Sequence, residues 1–222
     1  MRLAIAFDVY GTLIDTHGVF DALEELIGAR AEAFARSWRD KQLEYSFRRG
    51  LMQRYQPFSV CTGQALEYCC DVYDVDLDAG QKQRLMEVYR RLPAFADVGS
   101  ALDTLTRAGH RLFAFSNGTR EAVDELLERA GIAHAFEDVV SCDEIRSFKP
   151  DPAAYAHFIR RAGVSADMAW LISGNAFDII GARAAGLHAA WVRRPDNAVF
   201  DPWDIEPDCT IRGLDELAEV LA

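Results

Sequence analysis

The sequence predicts a doubly wound α/β fold: a parallel sheet covered by helices, with a helical cap inserted after the first strand. Three observations predict it. Short apolar runs alternate with helical patterns along most of the chain. The runs are apolar throughout rather than every second residue, as strands buried on both faces are. One long stretch, from about 16 to 93, carries helical patterns and no strand signal. With 222 residues the chain is long enough for one such core and a smaller accessory unit.

The first run, LAIAF (3–7), reads as a buried strand rather than a signal peptide, because an Asp and a Gly-Thr turn arrive before any small-residue cleavage site. The insertion follows, with helical patterns in FARSWRDKQLEYSFRRGLMQRY and from Cys61 to Asp74. Hinges near 15 and 94 then divide the chain into an α/β core, 1–15 with 94–222, and a helical cap, 16–93. An insertion at that point lies beside the C-terminal strand ends, where open α/β sheets bind ligands. The core resumes with strands at RLFAF (111–115), DVVS (138–141), AWLIS (169–173) and HAAWV (188–192). Helices are expected at 119–130, 151–163, 176–186 and 213–221.

Composition narrows the function classes. No apolar run approaches the roughly 20 residues that span a bilayer, so no membrane role is expected. A formal charge of -11 disfavours nucleic acid, which needs Lys and Arg gathered on one face, and obliges any anionic ligand to meet a local positive site. The five Cys form no C-x-x-C and no zinc-ligand spacing, which fits reduced thiols in a cytoplasm.

The residues that can carry chemistry fall at the strand ends. Asp8 closes the first strand before Val-Tyr-Gly-Thr, which is either a nucleophile's position over a tight glycine turn or an Asp capping that turn. Ser116 and Asn117 end the second core strand, and the helix opened by Gly118 and Thr119 offers amides to an anion; an ordinary strand-to-helix turn has the same residues. Lys149, before Pro150, either folds back towards Asp8 or is a solvated surface charge. Ser173, Asn175 and Asp178 either hold a water between them or cap a helix and complement its dipole.

The order FDVYGTL, SNG, KP and SGNAFD resembles the haloacid dehalogenase superfamily across essentially the whole chain. The motifs are short, and their order and spacing together make the resemblance specific. Magnesium phosphatases of that superfamily carry a second Asp two residues after the nucleophile; here Tyr10 stands there, and the last motif has Ser173, Gly174 and Asn175 before Asp178 in place of a metal-binding acidic set. The cap segment SWRDKQLEYSF resembles the W-R-x-x-Q-L-E-Y run of the (S)-2-haloacid dehalogenase branch.

That resemblance implies a hydrolase with no cofactor and no metal. Asp8 would attack C2 of a small 2-haloacid, with halide leaving towards Arg39 and inversion at carbon. Water near Thr12, Ser173, Asn175 and Asp178 would then cleave the Asp8 ester, with Lys149 beside Asp8 throughout. The substrate carboxylate would meet Ser116 and the amides of Val9, Tyr10 and Asn117. Its alkyl group would pack on Tyr10, Leu43, Phe58 and Phe177, with Tyr155 supporting Lys149. Relatives are commonly dimers, so a homodimer is expected. Two departures stand out: Asp40 follows the cap Arg where relatives often have Gln, and Gly174 replaces a second Ser. The rival readings are a magnesium-dependent phosphatase, an enzyme of the branch that displaces fluoride or a strained-ring amine, and a binding protein without turnover.

Overall fold

The computed structural model describes residues 2–195 and 197–221; Met1, Asp196 and Ala222 lie outside them. The chain divides into two compact units, Thr16–Leu92 and the residues on either side of that segment. β1 (Ala4–Asp8) opens the larger unit. The smaller unit contains α1 (His17–Ile27), α2 (Ala31–Leu51), α3 (Phe58–Tyr73) and α4 (Ala79–Val88). The larger unit resumes with α5 (Val98–Arg107), β2 (Arg111–Ser116), α6 (Arg120–Arg129), β3 (Asp138–Ser141), α7 (Pro152–Ala162) and β4 (Ala169–Ser173). It ends with α8 (Ala176–Ala184), β5 (His188–Val192), β6 (Cys209–Ile211) and α9 (Leu217–Val220).

The smaller unit forms because its helices bury stripes at helical spacing. α2 buries Phe34, Trp38, Gln42 and Ser46, and α3 buries Cys61, Thr62, Ala65, Leu66, Cys69 and Cys70. The Trp38 indole N–H donates to the Thr62 carbonyl at 2.9 Å, which satisfies the one polar atom of that buried ring. α4 starts with a capping box: Asp78 accepts from the Gln81 amide at 2.8 Å, and the Gln81 side chain accepts from the Asp78 amide at 2.9 Å.

The larger unit is built on six parallel strands in the order β3-β2-β1-β4-β5-β6. Strand order runs outward from β1 in both directions, so the topological switch lies between β1 and β4. Ala4 and Ala6 of β1 share a core cluster with Phe113, Phe115, Tyr155 and Phe158, whose rings meet edge-on at 5.6 to 5.8 Å.

Two expectations need correction. A sixth strand, β6, pairs with β5 from Ala190↔Cys209 to Val192↔Ile211. Its three residues include exposed Thr210, so they form no apolar run. The helix expected at 213–221 is a 3-10 turn, Leu214–Glu216, followed by only the single turn of α9.

Candidate active site

Asp8 is the last residue of β1, paired in register with Phe115 one residue before the end of β2; Ser173 ends β4 and pairs with Trp191 of β5. Their side chains therefore gather at the C-terminal edge of the sheet. Beyond Asp8 the chain turns at once. The Val9 carbonyl accepts from the amides of Leu13 and Ile14 at 3.0 and 2.9 Å, and Gly11 takes a φ of 79°, which side-chain-bearing residues rarely adopt. This turn brings Thr12 beneath Asp8, where its hydroxyl donates to Oδ2 at 2.8 Å. The same hydroxyl oxygen accepts from the Gly174 amide at 2.8 Å, so its single hydrogen is directed to the carboxylate.

Lys149 reaches Asp8 from the opposite side of the carboxylate. Its Asn117 anchor is a backbone one: the Asn117 Oδ1 accepts from the Lys149 amide at 2.8 Å. The helix that follows starts later than expected, at Pro152, with Asp151 as its cap. The ammonium is 1% exposed and donates to Asp8 Oδ1 at 3.0 Å, to Asp178 Oδ2 at 2.8 Å and to the Phe115 carbonyl at 2.8 Å. Three donors thus meet three acceptors, and the surface-charge reading of Lys149 is excluded. Burial by itself would lower its pKa, but the charges of Asp178 and Asp8 outweigh that and hold it above the usual Lys range.

Asp178 is fully buried, and its Oδ1 accepts from the Tyr155 hydroxyl at 2.8 Å. Burial pushes its carboxyl above the ordinary 3.8, with Lys149 acting against the shift. Burial, with Asp178 beside it, pushes the Tyr155 phenol well above its ordinary 10.0 and keeps it a donor. Gly181 makes room for this arrangement: a Cβ there would lie 2.3 Å from the Tyr155 hydroxyl oxygen and 2.7 Å from Pro150 Cβ.

Asn175 stands at the N-cap of α8, yet its side chain makes no capping bond. Its Nδ2 instead donates to Asp8 Oδ2 at 2.8 Å and to the Tyr10 carbonyl at 3.3 Å. Both serines do the turn chemistry weighed for Ser116 and Asn117: Ser116 Oγ accepts from the Gly118 amide at 3.0 Å and Ser173 Oγ from the Asn175 amide at 3.1 Å. Thr119 caps α6, accepting from the Ala122 amide at 3.4 Å. Val9 is buried directly after Asp8, while Tyr10 and Phe177 are half-buried at the exits of β1 and β4.

The structure therefore joins Asp8, Thr12, Lys149, Asn175, Asp178 and Tyr155 in one hydrogen-bonded cluster, with Asn117 attached through Lys149. Arg39 and Leu43 on α2 and Phe58 at the start of α3 belong to the smaller unit and are half-buried there; Asp40 is exposed. Sequence reasoning missed the Phe115 carbonyl and the Gly174 amide, since backbone groups carry no residue signature. It also missed Arg194, whose Nη2 donates to the Thr12 carbonyl at 2.6 Å. Its only signal was a place just past the HAAWV strand.

Comparison with known proteins gives concordant matches. The family model for haloacid dehalogenase-like hydrolases matches residues 3–186. The chain is 38% identical over 219 residues to the haloacetate dehalogenase H-2 of Moraxella sp. (strain B), covering 99% of this chain and 97% of that one. It is 35% identical over 216 residues to an (S)-2-haloacid dehalogenase of Pseudomonas sp. (strain YL), covering 97% and 93%. The L-2-haloacid dehalogenase of Xanthobacter autotrophicus, also solved with chloropropionic acid covalently bound, superposes with a TM-score of 0.92 at 30% identity, covering 100% of this chain and 98% of that one.

Proposed function

The chain belongs to the haloacid dehalogenase-like hydrolases, and from that premise we propose that it hydrolyses (S)-2-haloalkanoic acids to (R)-2-hydroxyalkanoic acids and halide through an ester on Asp8. The observation that carries the reading is the Asp8 carboxylate, 13% exposed at the sheet edge and held by Lys149, Thr12 and Asn175, with Tyr10 where a leaving-group acid would stand. Halide leaves as an anion and needs no proton, so an acid at position 10 has no work to do.

In the first step an Asp8 oxygen forms a bond to C2 while the carbon–halogen bond breaks and its electron pair departs with the halide; attack opposite the leaving group inverts the carbon. In the second, water adds to the ester carbonyl, the acyl–oxygen bond breaks, and the hydroxy acid leaves with the former Asp8 oxygen. Negative charge develops on the Asp8 carboxyl in that step. Lys149, Thr12 and Asn175 already donate to it, which is preorganised stabilisation. Asp178 is the assigned base for the water, because burial raises its affinity for a proton and Lys149 joins it to Asp8. Tyr155 holds Asp178, and Ser173 keeps the turn that presents Asn175.

The same reading assigns residues 16–93 as a cap domain and 1–15 with 94–222 as the core domain. It assigns Arg39 to the departing halide and Leu43, Phe58, Tyr10 and Phe177 to the alkyl group. The substrate carboxylate goes to Ser116 and the amides of Val9, Tyr10 and Asn117; a hydroxyl that accepts from Gly118 still carries its own hydrogen to give. It extends to a homodimer in the cytoplasm, supported by exposed Leu51, Met52, Tyr68 and Val72 on the smaller unit and by free thiols at Cys61, Cys69, Cys70, Cys142 and Cys209. No helix among the described residues is long and apolar enough to cross a membrane.

The test is halide release by EDTA-treated protein from separate (S)- and (R)-2-chloropropionate, with chloroacetate and fluoroacetate alongside because of the identity to the Moraxella haloacetate dehalogenase. Release from the (S) form with (R)-lactate as product is expected. Release from neither form, with phosphate esters cleaved once Mg²⁺ is added, would overturn the reading.

A further inference from the structure

From the hydrogen-bond pattern behind the turn after β1 we infer that Arg194 is a positioning residue: it sets the Asp8 nucleophile by clamping the backbone of Thr12. The inference rests on the dehalogenase reading for its kinetic readout only.

Thr12 is fully buried and is gripped at both its polar ends. Its hydroxyl lies between the Gly174 amide and Asp8 Oδ2, as described. Its carbonyl accepts from Arg194 Nη2 at 2.6 Å. The other arm of the guanidinium, Nη1, pairs with Asp97 Oδ2 at 2.7 Å, and that carboxylate oxygen also accepts from the Leu214 amide at 2.7 Å. The guanidinium carbon lies 4.0 Å from the centroid of the Phe95 ring. Three independent supports therefore fix the fork, and only a planar group with two terminal nitrogens serves the Thr12 carbonyl and Asp97 together.

β5 thus braces the nucleophile's turn twice. Arg194, two residues past the strand's end, holds the Thr12 carbonyl, while the Trp191 indole N–H donates to the Gly174 carbonyl at 3.2 Å. Gly174, held at its carbonyl by Trp191, gives its own amide to the Thr12 hydroxyl. If the carbonyl is released, the backbone at Thr12 is free to shift, and the hydroxyl it carries is misdirected from Asp8 Oδ2. Asp8 then loses alignment in both steps while the groups assigned to substrate binding are untouched, so kcat falls and KM does not.

The test compares wild type with Arg194→Ala, Arg194→Lys and Asp97→Asn, using kcat and KM for (S)-2-chloropropionate below the unfolding transition of each. Arg194→Ala is expected to lower kcat about 10- to 100-fold, the usual scale for a displaced reacting group, with KM within about 2-fold. Arg194→Lys should fall between, and Asp97→Asn, which leaves the bond to Thr12, should stay within about 3-fold of wild type in kcat. Hydrogen exchange supplies a readout independent of activity: the amides of Leu13 and Ile14, bonded to the Val9 carbonyl, should exchange faster in Arg194→Ala while Ile172 in β4 keeps its protection. Wild-type kcat in folded Arg194→Ala would overturn the inference, as would equal losses in Arg194→Ala and Asp97→Asn. Should Arg194→Ala not fold, Arg194→Lys decides, and unchanged kcat and exchange there overturn it. A wild-type protein without halide release would sink the dehalogenase reading and leave Arg194 to the exchange arm.

Discussion

Lys149 carries one positive charge between the buried Asp178 carboxylate and the half-buried Asp8 carboxylate, and its replacement exposes how finely that charge is matched. Lys149→Met leaves Asp8 and Asp178 without their shared counter-ion, a change that costs about 3–5 kcal/mol when a buried charge loses its partner. Burial already raises Asp178, and removing the ammonium raises it further. A carboxyl whose folded pKa exceeds its unfolded value destabilises the fold increasingly as pH rises from the unfolded value through the folded one. The deficit of Lys149→Met against wild type is therefore expected to be smaller at pH 5 than at pH 7. Urea unfolding at both values checks it, and an equal deficit contradicts the assignment. At this scale the strand-end places of Asp8 and Asn175 were legible, whereas the bond from Asn175 to Asp8 was not, because the sequence offered that side chain only a held water or a helix cap. The alternatives for Lys149 could be settled only by distance, since 141 residues separate it from Asp8.

Between elements, the departure at Gly174 acquires a physical cause. A Cβ at that position would lie 2.5 Å from the Gly11 carbonyl oxygen, so the turns after β1 and β4 approach too closely for any side chain. Gly174→Ser is expected to push the turns apart, break the hydrogen bond from the amide of residue 174 to the Thr12 hydroxyl, lower stability by about 1–3 kcal/mol and reduce kcat about 10-fold or more. Thermal unfolding and kcat measured together check this; a variant as stable and active as wild type would show that the approach is not required. The core strands were legible because buried parallel strands are continuous apolar runs, and DVVS, AWLIS and HAAWV match β3, β4 and β5 residue for residue. β6 was not, being short with a polar exposed centre, and α9 was overextended at its start, where buried Leu214 continues the apolar spacing into a 3-10 turn. α5 also went unnamed, although Val98, Ala101, Leu102 and Leu105 give it a clear buried stripe.

At the scale of the whole molecule, the proposed function gives a role to the smaller unit as well, since Arg39 of that unit is proposed to receive the halide. Arg39 is half-buried on α2 between buried Trp38 and Gln42, so truncating it leaves the helix core intact. Arg39→Ala is accordingly expected to change stability by less than about 1 kcal/mol while lowering kcat about 100-fold; unchanged kcat and KM would remove the smaller unit from the halide's path. The run SWRDKQLEYSF made this unit legible by resemblance, whereas its Trp and Gln make hydrogen bonds within the unit, Trp38 to the Thr62 carbonyl and Gln42 to the Tyr89 hydroxyl. In the proposed reaction water attacks the enzyme's own ester and not the substrate, and single-turnover hydrolysis in H₂¹⁸O distinguishes the two. With protein in excess over (S)-2-chloropropionate, the heavy oxygen is expected in the Asp8 carboxylate, a gain of about 2 Da in its peptide, while the lactate stays unlabelled. Label in the lactate with Asp8 unchanged would mean that water displaces the halide itself and would contradict the account.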